Sequence, residues 1–163
     1  MNALHDCSGA EPGVFAVHHE LLRELIQTSG QVRVRANGTS MVPTIWPGEE
    51  LVIQRLSGQI FAGDIVAFLR DQRLFIHRTI AVDGATVTTQ GDRLAAADAP
   101  VSHEQILGTV AKVVRRGNGV VLSREPSLAA RLLRWVSRAS EIPLLLLLRC
   151  RDSAILRPMW HSE

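Results

Sequence analysis

The sequence predicts a mainly β protein, with an antiparallel, barrel-like sheet, one helix before it and a basic amphipathic helical tail after it. Two observations support this fold class. Between residues 31 and 124, short runs of apolar residues alternate with polar ones, a pattern typical of half-buried strands. The runs are joined by short turns such as Asp83-Gly84, which are too brief for the crossover helices of a parallel sheet.

The chain begins with a leader and a helix, which we assign to residues 1–30. Apolar residues recur at helical spacing from Val14 to Ser29, and Gly30 ends the pattern. Seven strands are predicted next, within a domain over residues 31–124: Gln31–Ala36, Glu50–Arg55, Asp64–Arg70, Leu74–Val82, Ala85–Gln90, Ile106–Arg115 and Val120–Arg124. The third strand is almost continuously apolar, so we expect it at the centre of the sheet.

Residues 125–163 form a third segment with a different character. Six of the eighteen basic residues lie after residue 126, but only three of the sixteen acidic ones. Helical spacing predicts an apolar stripe of Leu128, Leu132, Trp135, Val136 and Ala139, flanked by Arg131, Arg134 and Arg138, before the leucine run Leu144–Leu148. A basic amphipathic helix can contact an anionic membrane surface, or its stripe can simply pack on the sheet. Both interpretations stay open.

Composition excludes several classes of function. A length of 163 residues with 46% hydrophobic and 21% charged side chains fits one globular domain with a core. Aromatic residues make up 4% and tyrosine is absent, which argues against a nucleic-acid partner bound by base stacking. Two cysteines match no metal-binding spacing, so neither metal nor cofactor is predicted. No apolar run approaches the ~18 residues of a membrane span, and we expect a cytoplasmic protein, at most peripheral at the inner membrane surface.

The candidate catalytic segment is Gly38-Thr39-Ser40-Met41-Val42-Pro43-Thr44. A serine in a loop of small residues is sterically open, although a Ser/Thr turn before a proline would look the same. Further along, His77 lies on a predicted strand and is followed by Asp92 and Asp98. Serine, histidine and carboxylate are the three parts of an activated nucleophile, so these residues are candidates for a catalytic site.

Several motifs follow one another in a characteristic order: Gly38-x-Ser40-Met41-x-Pro43-Thr44, Gly48-Glu49, Gly63-Asp64-Ile65-Val66-Ala67-Phe68, His77-Arg78, Gly91-Asp92 with Asp98, and Gly108-Thr109-Val110. Together they resemble the type I signal peptidases, over about Gln31 to Val114. The serine box and the Gly-Asp-Ile-Val box are shared with LexA-type self-cleaving repressors, so the resemblance implies the β fold of that superfamily. Glu49 stands where the family usually has an aspartate.

The position of the general base distinguishes branches of this superfamily. The common bacterial signal peptidases and the LexA-type proteins use a lysine, but this sequence has His77 there. Its sole lysine, Lys112, is expected at a solvent-facing position of a late strand. The resemblance is therefore to the archaeal and endoplasmic-reticulum branch. It implies Ser40 as nucleophile, His77 as base and Asp98 as the acid that orients the base, with Asp92 as the alternative acid.

The resemblance also implies a substrate and a reaction. The backbone N–H of Ser40 would donate to the oxyanion, and Gly38, Thr39, Met41 and Pro43 would shape the substrate groove, with cleavage after small side chains. The predicted activity is that of a serine endopeptidase acting on a peptide or protein precursor. Two alternatives are a self-cleaving LexA-type domain and a non-catalytic peptide-binding module. The first lacks a recognisable cleavage segment before the domain, and the second has no chemical need for all three candidate residues.

Overall fold

A computed structural model describes residues 12–115 and 117–125, together with Arg131 and Trp135 of the tail. Within these residues the first element is helix α1 (Pro12–Ser29), and eight strands follow it. These are β1 (Gln31–Arg35), β2 (Glu50–Arg55), β3 (Ile65–Arg70), β4 (Arg73–Asp83), β5 (Thr86–Gln90), β6 (Val101–Ser102), β7 (Ile106–Arg115) and β8 (Asn118–Val120). A short 3-10 helix, His103–Gln105, precedes β7. The predicted mainly β class with an N-terminal helix is confirmed.

The strands form one antiparallel sheet in the order β1-β2-β7-β3-β4-β5-β6, with β8 paired to β7. Among the described residues the sheet is open, with β1 and β6 at its two ends, so the strand pairing does not close into a ring. Strand β3 lies between β7 and β4, as its apolar sequence predicts. The candidate base, His77, pairs with Val66 across the β3–β4 ladder and is therefore held in the middle of the sheet.

Both faces of β3 are buried, which explains its continuous apolar run. Ile65 and Ala67 point into a cluster that also contains Ile26 of α1. Val66 and Phe68 alternate with them and belong to a second cluster, completed by Ile60, Val87, Val101 and Ile106. Because alternate residues of a strand face opposite sides of the sheet, a strand covered on both sides has no polar face.

Strand β7 lies between β2 and β3, and the strands approach each other closely at Gly108. This residue pairs with Arg55 on one side and with Ala67 on the other. A Cβ atom at this position would lie 2.0 Å from the carbonyl oxygen of Gln54, which no side chain can tolerate. Glycine therefore allows the central strands to approach each other, and the sheet below the candidate site depends on it.

Two features of the sheet differ from the sequence prediction. The last strand is Asn118–Val120 rather than Val120–Arg124, and the carbonyls of Ser123 and Arg124 accept from Arg78 instead of taking part in a ladder. The two-residue strand β6 was not predicted, since so short a segment shows no periodicity.

The tail is described only at Arg131 and Trp135, which are both helical and exposed. The indole of Trp135 is 70% exposed. The other predicted stripe residues, the run Leu144–Leu148, Cys7 and Cys150 lie outside the described residues. In the part of the chain that is described, no helix has the length and apolar character needed to cross a membrane.

Candidate active site

The loop between β1 and β2 holds Ser40 at its surface. Two backbone hydrogen bonds join the two ends of this loop, from Ala36 N–H to the Glu49 carbonyl (2.8 Å) and from Gly48 N–H to the Ala36 carbonyl (2.6 Å). The residue after the serine, Met41, is 3% exposed and packs in the core beside Ile45. Since its neighbours are anchored, the half-buried Ser40 has a fixed backbone.

A second loop, which follows β5, supports the serine from the other side. The backbone N–H of Arg93 donates to the Ser40 carbonyl over 2.8 Å. The side chain of Arg93 donates to the Thr39 hydroxyl over 3.2 Å. A Cβ atom at Gly91 would lie 2.9 Å from that same Ser40 carbonyl oxygen, so the close approach requires glycine.

His77 projects from β4 into an aromatic environment and is only 3% exposed. Its ring meets Phe68 and Phe75 edge-on, with centroid distances of 6.1 and 5.9 Å. The two phenylalanine rings stack on each other at 5.6 Å. Edge-on packing of this kind is favourable for aromatic rings, and it fixes the plane of the imidazole while excluding water from its sides.

Ser40, His77 and Asp98 form one hydrogen-bonded line. The Nε2 atom of His77 lies 3.0 Å from Ser40 Oγ, and Nδ1 lies 2.7 Å from Asp98 Oδ2. A carboxylate can only accept, so the proton of the neutral imidazole resides on Nδ1. Nε2 is then free to accept the proton of the serine hydroxyl. This is the arrangement by which a histidine activates a serine nucleophile.

Asp98 is held in turn by Thr89 on β5, a residue the sequence analysis did not single out. The Thr89 hydroxyl donates to Asp98 Oδ2 over 2.6 Å, and the Thr89 carbonyl accepts from the backbone N–H of Asp98 over 2.8 Å. One signal could have identified it. Thr89 shares a face with Val87, which is in the core, and a polar side chain on a buried face needs a hydrogen-bond partner.

Asp92 lies elsewhere in the network and contacts Arg78 rather than His77. Its two carboxylate oxygens accept from Nε and Nη2 of Arg78 at 2.9 and 3.0 Å, a bidentate pair in which both residues are at most 5% exposed. The Thr44 hydroxyl also donates to Asp92. Through Thr44, this ion pair supports the end of the serine loop.

The four residues expected to shape the substrate groove differ in exposure. Gly38 is exposed and Thr39 is half-buried, whereas Met41 and Pro43 are buried. The first two therefore lie where a peptide could touch them, and the other two support the loop from below. Within the described residues, the backbone N–H of Ser40 donates to no other group.

The chain's sole lysine is on β7, opposite Val52, and is separated from the strand of His77 by β3. Lys112 is half-buried rather than solvent-facing, because its aliphatic stem lies against Gly119 of β8. Among the described residues, no three histidine, cysteine or acidic side chains are grouped as a metal site would require.

Comparison with known protein families assigns this chain to a family. The family model described as "Signal peptidase, peptidase S26" matches residues 17–139, which is more than half of the 163-residue chain. A search of curated protein sequences finds no significant match. The matched region spans most of α1, the whole sheet, both loops of the site and the described tail residues, so the chain belongs to the signal peptidase family and is a protease of the signal-peptidase type.

Proposed function

We propose that this protein is a serine endopeptidase that cleaves a peptide or protein precursor with Ser40, His77 and Asp98. The observation that carries the proposal is the continuous hydrogen-bonded line from the Ser40 hydroxyl through the His77 ring to the Asp98 carboxylate, at 3.0 and 2.7 Å. A histidine in this position, on a chain whose lysine lies on β7, supports membership of the Ser–His branch of the family.

The geometry supports a two-stage acyl transfer. The Ser40 oxygen attacks the scissile carbonyl carbon while His77 Nε2 takes the hydroxyl proton. The resulting imidazolium is stabilised by the Asp98 carboxylate, and it then gives its proton to the leaving amine as the peptide bond breaks. In the second stage His77 removes a proton from a water molecule as the water oxygen attacks the acyl-enzyme ester. His77 then returns that proton to Ser40 Oγ as the ester bond breaks and the acid product leaves.

The negative charge of the tetrahedral intermediate needs hydrogen-bond donors. The backbone N–H of Ser40 is available for this role, since it donates to no group among the described residues. Gly38 has no side chain to add a second donor. The exposed Gly38 and the half-buried Thr39 leave room for an extended peptide beside the serine. The resemblance to the signal peptidases implies that a small residue precedes the scissile bond.

The two alternative functions make different demands on the site. A binding module would have no use for a base positioned 3.0 Å from a serine hydroxyl, so the geometry favours an enzyme. Self-cleavage would require a segment of the same chain in the groove, and incubation of the purified chain followed by mass spectrometry would detect its fragments. We expect the intact mass to persist while an added peptide is cleaved.

The test of the proposed function is covalent labelling with a fluorophosphonate probe, which reacts with activated serines. We expect one label, located on Ser40 by peptide mapping, and parallel cleavage of an internally quenched signal-peptide-like peptide. Ser40→Ala should lose both signals and keep the wild-type circular dichroism spectrum and melting temperature. Ser57→Ala is the matched control, because Ser57 is exposed and lies outside the site. Undiminished cleavage by Ser40→Ala would refute the proposal.

We also propose that the tail contacts an anionic membrane surface. Arg131 and Trp135 are exposed and helical, and they lie four residues apart, which places them on the same face of a helix. Tryptophan favours the interfacial region of a bilayer, and arginine is attracted to anionic headgroups. Such contact would bring the protease to precursors that are themselves held at the membrane.

A further inference from the structure

Thr89 and Thr79 face each other across the β4–β5 pair and differ in one respect. They are register partners, and both are buried, with exposures of 0% and 2%. The Thr89 hydroxyl donates to Asp98 Oδ2 over 2.6 Å. Within the described part of the chain, the Thr79 hydroxyl has no hydrogen-bond partner. The sheet therefore provides two similar threonines, of which one contacts the proposed site.

Thr89 holds Asp98 at two points. In addition to the hydroxyl contact, its carbonyl accepts from the backbone N–H of Asp98 over 2.8 Å, which fixes the main chain of the loop at this residue. The hydroxyl of Thr89 and Nδ1 of His77 converge on the same oxygen, Oδ2. Rotation of the carboxylate would break both hydrogen bonds, so each contact opposes loss of the other.

The Asp98 side chain is not enclosed by the protein, since it is 16% exposed. Without the threonine hydroxyl, the carboxylate could turn toward water and exchange its histidine partner for solvent. The imidazole would then lose the group that fixes its tautomer. Hydrogen bonds to a charged acceptor are stronger than neutral ones, so a buried hydroxyl is well suited to prevent this rotation.

We propose that Thr89 is a positioning residue, which holds the Asp98 carboxylate against His77 and thereby keeps the His77 ring aligned with Ser40. Its catalytic consequence rests on the proposed function, because alignment matters only if Ser40 is the nucleophile. Thr89 acts through Asp98 alone.

Peptide cleavage by the full chain tests this with four single variants, Thr89→Val, Thr89→Ser, Thr79→Val and Asp98→Asn, and with the double variant of Thr89→Val and Asp98→Asn. Valine has the shape of threonine without the hydroxyl. We expect Thr89→Val to lower kcat about 10-fold to 100-fold with KM within about twofold of wild type, since misplacement of a catalytic group can cost about 100-fold. Thr89→Ser should stay within about threefold of wild type, and Thr79→Val within about twofold. In the Asp98→Asn background, Thr89→Val should cause no further loss.

A spectroscopic measurement separates positioning from a merely structural role. The His77 Nδ1 proton faces a carboxylate and should give a strongly downfield proton NMR resonance. We expect this resonance in wild type and Thr79→Val, and its broadening or loss in Thr89→Val. If a valine variant fails to fold by circular dichroism, the alanine variants at both positions replace the valine pair.

Three results would overturn the proposal: equal loss of activity at both threonines, a further loss from Thr89→Val in the Asp98→Asn background, or an unchanged His77 resonance in Thr89→Val. Failure of the proposed function would look different. Ser40→Ala would then cleave or label like wild type, while the resonance would still report whether Thr89 holds Asp98 against His77.

Discussion

The carboxylate of Asp98 and the imidazole of His77 meet at 2.7 Å through Oδ2 and Nδ1, although 21 residues separate them in the chain. The contact forms because the loop after β5 folds back over the sheet and is fixed there by Thr89. It directs the other ring nitrogen toward Ser40. The second candidate acid, Asp92, instead forms an ion pair with Arg78, and the two carboxylates therefore call for separate experiments.

Asp98→Asn and Asp92→Asn should affect different properties. We expect Asp98→Asn to lower kcat/KM at least ~100-fold with a small change in melting temperature, because the amide disturbs the tautomer of His77. Asp92→Asn should reduce the free energy of unfolding by about 3–5 kcal/mol, since it leaves the buried Arg78 charge unpaired. Urea titration and peptide cleavage measure the two effects. A catalytic loss confined to Asp92→Asn would reverse the assignment of the acid.

The identity of the base should appear in the pH profile. An imidazolium cannot accept the serine proton, so kcat/KM should fall on the acid side of the profile. A lysine base would instead give a rate that rises mainly at alkaline pH. His77→Ala and His77→Lys should each lose at least ~100-fold, whereas Lys112→Ala should be close to wild type. An active His77→Ala with an inactive Lys112→Ala would return the protein to the lysine branch.

Gly91→Ala should damage the site through the backbone of Ser40. The new Cβ atom would lie 2.9 Å from the Ser40 carbonyl oxygen, which must then move away from it. We expect kcat/KM to fall at least ~10-fold, because small displacements of a nucleophile are costly. Gly58→Ala is the control, as its Cβ would meet no atom within 4 Å. Equal cleavage by the two variants would mean that the loop tolerates displacement of the serine.

Binding to vesicles should depend on the exposed residues of the tail. The wild-type chain should co-sediment with vesicles of phosphatidylglycerol and phosphatidylcholine. Arg131→Gln should bind these vesicles about fivefold more weakly, equivalent to ~1 kcal/mol for one charge. Trp135→Ser should also bind more weakly. Arg35→Gln removes an equally exposed charge from β1 and should bind like wild type. No binding by the wild type, or equal binding by all variants, would contradict a membrane role for the tail.

Sequence patterns predict the parts of this fold in which many residues share one environment. The apolar run of β3 indicates a strand buried on both faces, and the Asp83-Gly84 turn indicates the β4–β5 hairpin; both are present. Strand β6 has two residues, too few for any period to be visible. After β8, the carbonyls of Ser123 and Arg124 accept from Arg78, which lies far earlier in the chain. Local patterns carry no information about such distant contacts.

The candidate site also has features that the sequence predicts and features that depend on tertiary contacts. The order of the serine, histidine and aspartate motifs is visible in the sequence, and the structure places Ser40, His77 and Asp98 in contact. Spacing alone does not show which carboxylate contacts His77, because Asp98 and Asp92 meet adjacent residues of β4, His77 and Arg78. Thr89 could not be singled out for a similar reason. The segment Thr86-Val87-Thr88-Thr89 contains three threonines, and the sequence alone does not show which of them lies on the buried face.

The contacts of Arg78 join segments that are synthesised at different times. Its guanidinium binds Asp92 and the carbonyls of Gly63, Ser123 and Arg124, so one side chain gathers segments that the ribosome makes at very different times. Ser40, His77 and Asp98 have all been translated before the last of these acceptors exists. The guanidinium of Arg78 can therefore complete its hydrogen bonds only after residue 124 has been synthesised, later than every residue of the proposed catalytic line.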